Sequence, residues 1–216
     1  MTPRPGGDLG PIWDQIPFLQ LEPVDFGATG KNVSAPAPIL DAMSVAGGTD
    51  RSSAPFTDAH LDRLAEIALE DQAAMFTRTP RLAVYRDRLL LIALCQGGAL
   101  HYLDGSNGVK DLDVYSFYAR HPTVRMHPLR HTVADFGESE FGHRPADAEA
   151  RGRKFVGRAV DLLVRSLPVE PDADPIVAVR AWLLASRNET PRLLRQKAVI
   201  GIYPNIYRGS VVWPIP

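Results

Sequence analysis

The stretch QGGALHYLDGSNGVKDLDV, residues 96–114, decides the reading of this chain because it joins two segments predicted as β-strands. It opens with a glycine pair, Gly97-Gly98, and closes with two acids two positions apart. The run before it, Leu89–Cys95, is short, apolar and bounded by glycine, which favours a buried strand. The β-branched and aromatic residues of 112–118 favour a second strand.

The two acids, Asp111 and Asp113, are the first indication of chemistry in this stretch. Residues two apart on a strand point to the same face of the sheet. Two neighbouring negative charges destabilise a fold unless a cation neutralises them, and carboxylate oxygens are the ligands that Mg²⁺ prefers. A glycine pair at the end of the preceding strand lets phosphate oxygens approach its backbone N–H groups. The stretch therefore predicts a site for a divalent cation and a phosphate.

A third acid, Asp161, lies within another apolar run, Ala159–Val164, which predicts a third strand. An isolated carboxylate inside such a strand is costly to bury, so its position requires an explanation. One explanation is that it completes a metal site with the first two acids on a neighbouring strand. The alternative is an ion pair with Arg158 or Arg165.

The remainder of the chain predicts helices around these strands and an irregular arm before them. The arm, residues 1–55, is rich in proline and glycine, and residues 120–153 show little periodicity. The expected fold is α+β (mixed α/β), with a small mixed sheet and flanking helices over residues 56–216. The predicted helices run from Thr57 to about Phe76, from Asp174-Pro175, and from Thr190-Pro191 to near Gly201, and a short edge strand is expected within 209–214.

Composition excludes several classes of protein. The 216 residues contain 24 Lys+Arg against 25 Asp+Glu, which removes the bulk charge of a dedicated DNA-coating protein. A single cysteine, Cys95, rules out an internal disulfide and a cysteine zinc cage. The apolar run that contains it is far shorter than the ~20 residues that span a bilayer, and no signal peptide is visible. We therefore expect a cytoplasmic protein that does not enter a membrane.

With these residues in place, the segment from about 85 to 165 resembles the nucleotidyltransferase superfamily, which has the polymerase-β-like fold. The superfamily combines a Gly-Gly or Gly-Ser pair, a short gap, an Asp-hydrophobic-Asp motif and a third carboxylate on a later strand. Here Gly97-Gly98, the twelve residues 99–110, Asp111-Leu112-Asp113 and Asp161 match these features in order. Gln96 stands where the superfamily usually has an apolar residue. The segment is also similar, more faintly, to a group of bacterial proteins.

The resemblance implies a minimal nucleotidyltransferase-like core and a metal-dependent transfer of a nucleoside monophosphate from an NTP. The acceptor would be a hydroxyl on RNA, protein or a small molecule. Mg²⁺ or Mn²⁺ would be held by Asp111, Asp113 and Asp161, and the glycine pair would bind the triphosphate. Lys110 and Arg158 are candidates for additional contacts to triphosphate oxygens, although their odd offsets from the acids favour the opposite face of a strand.

Two other functions stay open on the sequence. The same fold without catalysis would act as a nucleotide- or partner-binding module. A metal-dependent nuclease uses similar carboxylates but usually has a lysine two positions after an acid, where this chain has Tyr115. The histidine-rich segment, with His121, His127, His131 and His143, is interpreted as surface or substrate-contacting rather than as a zinc site, since Pro128 interrupts its helical spacing.

Overall fold

A computed structural model describes residues 51–126, 131–143, 154–185 and 187–214 of the chain. All of these residues belong to one compact unit that spans Ala46–Pro216. Most of the predicted arm, together with His127, lies outside the described residues.

The first helix, α1, covers Asp58–Arg78 and begins where the sequence predicts. The Thr57 hydroxyl accepts a hydrogen bond from the backbone N–H of His60, and the His60 ring accepts one from the backbone N–H of Thr57. This reciprocal cap satisfies backbone donors that the first turn leaves without helical partners. A 3₁₀ segment, Pro80–Arg88, then leads the chain into the sheet.

Six strands form one mixed sheet. In spatial order it runs β3-β4-β2-β1-β5-β6, and β2 and β4 at its centre are parallel while the other neighbours are antiparallel. The strands are β1 (Leu89–Cys95), β2 (Leu112–Ala119), β3 (His131–Asp135), β4 (Ala159–Leu167), β5 (Val199–Tyr203) and β6 (Val211–Trp213).

Helices cover both faces of this sheet. One face packs against α1 and against α2, which covers Gln96–Asp104 and joins β1 to β2. The opposite face packs against α3, Pro175–Ala185, and α4, Glu189–Arg195. From Leu91 onward, the residues of β1 alternate between the two cores: Ile92 and Leu94 face α1, and Leu91 and Ala93 face α3. A second 3₁₀ segment, Asn205–Tyr207, follows β5.

The predicted α+β class is confirmed: a mixed sheet lies between helices. The strands predicted at 89–95, 112–118 and 159–164 are present as β1, β2 and β4, and the tail forms β6. The prediction that the last helix reaches Gly201 is wrong, because α4 ends at Arg195 and β5 pairs with β1 from Val199 onward. The sequence also gave no indication of α2 or of the edge strand β3.

Within the described part of the chain, none of the helices combines the length and the apolar character that crossing a membrane requires.

Candidate functional site

One row of side chains across the sheet brings the acids of β2 and β4 together. The strand register places Val199, Cys95, Asp113, Asp161 and Val133 side by side on five neighbouring strands. Adjacent strands are about 4.8 Å apart, and directly opposed residues point to the same face. Asp113 and Asp161 are therefore immediate neighbours, on the face that packs against α3 and α4 farther along the strands.

Gln96 holds the carboxylate of Asp113. Its side-chain amide Nε2 donates to Asp113 Oδ1 at 2.8 Å. Its backbone N–H donates to the carbonyl of Ala198 at 2.9 Å, which ties the start of α2 to the segment before β5. The residue that departs from the superfamily pattern thus contacts one of the predicted metal ligands.

His131 holds the carboxylate of Asp161 in the same way. Its Nε2 lies 3.0 Å from Asp161 Oδ1, and the imidazole is about half exposed (51%) while the carboxyl side chain is largely covered (14%). The ring therefore stands between the acid and solvent at the outer edge of the sheet. The sequence did not single out this contact between His131 and Asp161.

The other predicted site residues lie around this pair. Asp111 is half-buried and precedes the first residue of β2, so strand alternation applies to Asp113 and not to Asp111. Lys110 is exposed. Arg158 is buried, and its guanidinium donates to the backbone carbonyls of Phe141 and Lys110. Its position supports a structural role for Arg158 that joins two loops, and gives no support to the predicted phosphate contact.

The glycine pair forms the first turn of α2. Gly98 is buried, and a Cβ at its position would lie 3.1 Å from Leu94 and 3.6 Å from Leu112, so glycine permits close packing of the helix on β1 and β2. Gly97 has room for a Cβ, with the Arg51 guanidinium at 3.9 Å as the nearest group. No side chain caps this helix at Cys95. The positive end of the helix dipole lies at this first turn, whose opening residue, Gln96, contacts Asp113.

Three further polar side chains lie on the face that carries the acids. Burial raises the pKa of the Cys95 thiol, and the charge of Asp113 adds to the shift. Burial also raises the pKa of the Tyr115 hydroxyl, with smaller contributions from Asp113 and Asp161. The Arg165 guanidinium lies 5.2 Å from the centre of the Tyr115 ring and donates to the Thr190 hydroxyl at 3.2 Å. Burial lowers the pKa of Arg165.

The acid pair fits a divalent cation by the chemistry of its donors. Mg²⁺ is commonly bound through one or two carboxylates together with substrate phosphates and waters, so a pair of adjacent carboxylates is a sufficient protein contribution. In the described ranges, no three His, Cys, Asp or Glu side chains are grouped so as to hold a metal ion. Of the three predicted ligands, the strand register places Asp113 and Asp161 side by side.

A shallow surface depression of about 480 Å³ adjoins the outer edge of the sheet next to this site. Two cations, Arg78 and Lys154, lie on its wall together with His131. Its floor includes Thr132, whose hydroxyl donates to Asp71 at 3.1 Å. His131 lines the depression and also contacts Asp161, while Asp113 and Asp161 themselves are not part of its lining.

Sequence reasoning missed the two residues that hold the acids. Gln96 carried a usable signal, since a polar side chain stood directly before the glycine pair. His131 has no sequence signal beyond its place in a histidine-rich segment, because only the pairing of β3 with β4 brings it close to Asp161.

A scan against protein-family models, a search of curated proteins and a search of solved structures find no match to this chain.

Proposed function

We propose that this chain is a metal-dependent nucleotidyltransferase, which transfers a nucleoside monophosphate from an NTP to a hydroxyl acceptor. The observation that carries the proposal is the register of the parallel strands β2 and β4, which makes Asp113 and Asp161 neighbours beside a glycine-opened helix. A cytoplasmic location, where NTPs and Mg²⁺ are abundant, suits this reaction.

Different residues of the site would bind the cation and the triphosphate. Asp113 and Asp161 would hold Mg²⁺ or Mn²⁺, which neutralises phosphate charge and favours ionisation of the acceptor hydroxyl. Asp111, at the entry to β2, is the candidate for a further ligand. The N-terminus of α2 at Gly97-Gly98 offers backbone N–H groups and a positive dipole end to the triphosphate.

The bond changes follow from the donor and the acceptor. The acceptor oxygen bonds to the α-phosphorus, the bond from that phosphorus to the bridging oxygen breaks, and pyrophosphate leaves. The hydroxyl proton would pass to Asp161, which His131 contacts at 3.0 Å. We expect an acceptor to lie in the depression bordered by Arg78, His131 and Lys154. Arg78 is paired there with Asp71 at 3.9 Å, so Lys154 is the better candidate for a contact to an acceptor phosphate.

The second candidate is a nucleotide- or partner-binding module that shares the fold but lacks catalysis. One observation favours it: the Gln96 amide donates to Asp113 Oδ1 and so competes with a cation for that oxygen. Such a module would bind an NTP and transfer nothing.

The deciding experiment incubates the full-length protein with each α-labelled NTP, with Mg²⁺ or Mn²⁺, and with acceptors from a cell extract. We expect label transfer from at least one nucleotide, and its loss in the Asp113→Asn and Asp161→Asn variants, by at least about a hundredfold. The matched control is Asp172→Asn, an exposed acid in the turn before α3, which should transfer label at the wild-type rate. Absence of transfer by a folded wild-type protein that binds NTP would favour the binding module.

A further inference from the structure

Gln96 has an unusual backbone conformation for a residue with a side chain. Its φ is +56°, and among the residues that the structure describes no other non-glycine residue has a positive φ. A Cβ makes this left-handed region unfavourable, so glycine would be the least strained residue at this position. Strain of this kind is often found at functional sites, where it fixes the direction of a side chain.

The strained backbone directs the Gln96 side chain to the acid pair. The amide Nε2 is 2.8 Å from Asp113 Oδ1, and Asp161 is the next residue along the same row of the sheet. A carboxamide carries an NH₂ donor and a carbonyl acceptor on one carbon, and a half-turn about its last bond exchanges them. The side chain that donates to Asp113 can therefore present an oxygen at nearly the same place.

We propose that Gln96 is a switchable ligand of the divalent cation. In the cation-free protein its NH₂ group neutralises part of the charge on Asp113. When Mg²⁺ or Mn²⁺ binds to Asp113 and Asp161, the amide turns and its Oε1 supplies a third oxygen. The inference rests on the proposed function only for the use of this acid pair as a cation site.

The test measures binding of Mn²⁺ alone to the full-length protein, from the loss of the free-ion paramagnetic resonance signal, with Mg²⁺ as competitor. Gln96→Met keeps the length and the strain but removes the oxygen, and we expect Mn²⁺ to bind about tenfold more weakly. Gln96→Gly removes the strain as well as the amide, and we expect the same weakening. Gln96→Glu supplies an oxygen but no donor, and we expect binding at least as tight as in the wild type.

These variants separate a ligand from a residue that only positions Asp113. If Gln96 acts only as a donor, Gln96→Glu binds Mn²⁺ more weakly than the wild type, and that result overturns the inference. Unchanged binding in the Met and Gly variants overturns it too, as does wild-type binding no tighter than in the Asp113→Asn/Asp161→Asn double variant. Mn²⁺ binding that depends on Gln96, in a protein that transfers no label, supports the inference and rejects the proposed function.

Discussion

The carboxylates of Asp113 and Asp161 repel each other when no cation is present, since they are directly opposed on parallel strands. The Gln96 amide contacts Asp113, and the His131 ring contacts Asp161. Like charges directly opposite one another in a sheet destabilise it by roughly 0.2–1 kcal/mol. The repulsion between the two acids therefore slightly lowers the free energy of unfolding of the cation-free protein, and a bound cation would remove this destabilisation.

The first prediction follows from this repulsion. Asp161→Asn keeps the size of the side chain and an oxygen for His131, and removes one of the two charges. We expect the free energy of unfolding to rise by about 0.5 kcal/mol, measured by urea denaturation in the presence of a chelator. Added Mn²⁺ should stabilise the wild type and not the variant.

The control is again Asp172→Asn, which removes an exposed charge from a turn and should leave both measurements unchanged. A lower stability of Asp161→Asn in chelator would contradict the prediction, since it would mean that attraction to neighbouring cations outweighs repulsion between the acids.

The acids themselves could be found from the sequence, and the residues that hold them could not. Asp113 and Asp161 each lie in a short β-prone run, and strand alternation together with a parallel pairing is enough to make them neighbours. Gln96 reaches its acid only because its backbone takes a left-handed conformation that a side chain disfavours. His131 depends on the pairing of an edge strand that shows no periodicity of its own.

The end of β3 and the start of β4 are joined by one carboxylate. Asp135 Oδ1 accepts the backbone N–H groups of Gly137 and Gly157 at 3.0 and 2.9 Å, and Oδ2 accepts that of Val156 at 2.6 Å. Gly157 has no room for a Cβ, which would lie 1.8 Å from the carbonyl oxygen of Gly137. This clamp fixes the entry to β4, the strand that carries Asp161.

The second prediction concerns the pH dependence of this clamp. Burial raises the pKa of Asp135, but the three N–H donors and the nearby His143 outweigh it and hold the pKa below its ordinary value. A carboxyl whose pKa is depressed on folding stabilises the fold above the unfolded value of about 3.9, and that stability is lost as the pH falls through the folded pKa. We expect Asp135→Asn to lower the free energy of unfolding by about 1 kcal/mol at pH 7, a value that allows for solvent screening.

The difference between wild type and Asp135→Asn should shrink as the pH falls through the lowered folded pKa of Asp135, where the wild-type carboxyl becomes protonated as well. Urea denaturation of both proteins across this range measures it. A difference that stays constant with pH would mean that the charge of Asp135 does not stabilise the clamp.

The local hydrophobic pattern of the sequence predicted most helices and strands correctly. It failed for β5 and α2, whose structure depends on contacts with other strands. The sequence predicts that the last helix continues through Val199, Ile200 and Ile202. These residues instead form β5, because they pair with the buried strand β1. For α2, a helix forms where the sequence pattern indicates a turn at Gly97-Gly98. The absence of a Cβ at Gly98 lets this helix pack closely on the sheet. The helix is capped by Gly105, which has a left-handed backbone conformation.

Residues just before the predicted start of the domain form hydrogen bonds with it. Ser52 pairs with Val109 through two backbone hydrogen bonds of 2.9 and 2.7 Å. His101 is buried, and its Nδ1 accepts from the backbone N–H of Gly108, so its Nε2 donates to the carbonyl of Ala54 at 2.9 Å. The segment from residue 51 to 56, predicted as arm and domain boundary, is thus tied to the turn that leads into Asp111.

Phe56 anchors this segment by packing among aromatic rings. Its ring centre lies 4.8 Å from that of Phe141 and 6.3 Å from those of His101 and Tyr102. These rings belong to α2 and to the loop after β3, so one side chain connects residues 51–56 with both of these elements. Loss of the Phe56 ring would loosen residues 51–56 and the turn before β2 together.

The third prediction tests this connection in the full-length protein. Phe56→Ala should lower the free energy of unfolding by about 2 kcal/mol, less than for a fully buried phenylalanine because Phe56 is half-buried. It should also speed hydrogen exchange at the amides of Ser52 and Val109, while amides of β2 and β4 lose protection only in proportion to the global destabilisation. Ile206→Ala is the matched control, because this side chain is 83% exposed and its removal should change neither quantity. Equal exchange at Ser52 and Val109 in wild type and Phe56→Ala would contradict the prediction. It would show that the two backbone hydrogen bonds hold residues 51–56 in place without the Phe56 ring.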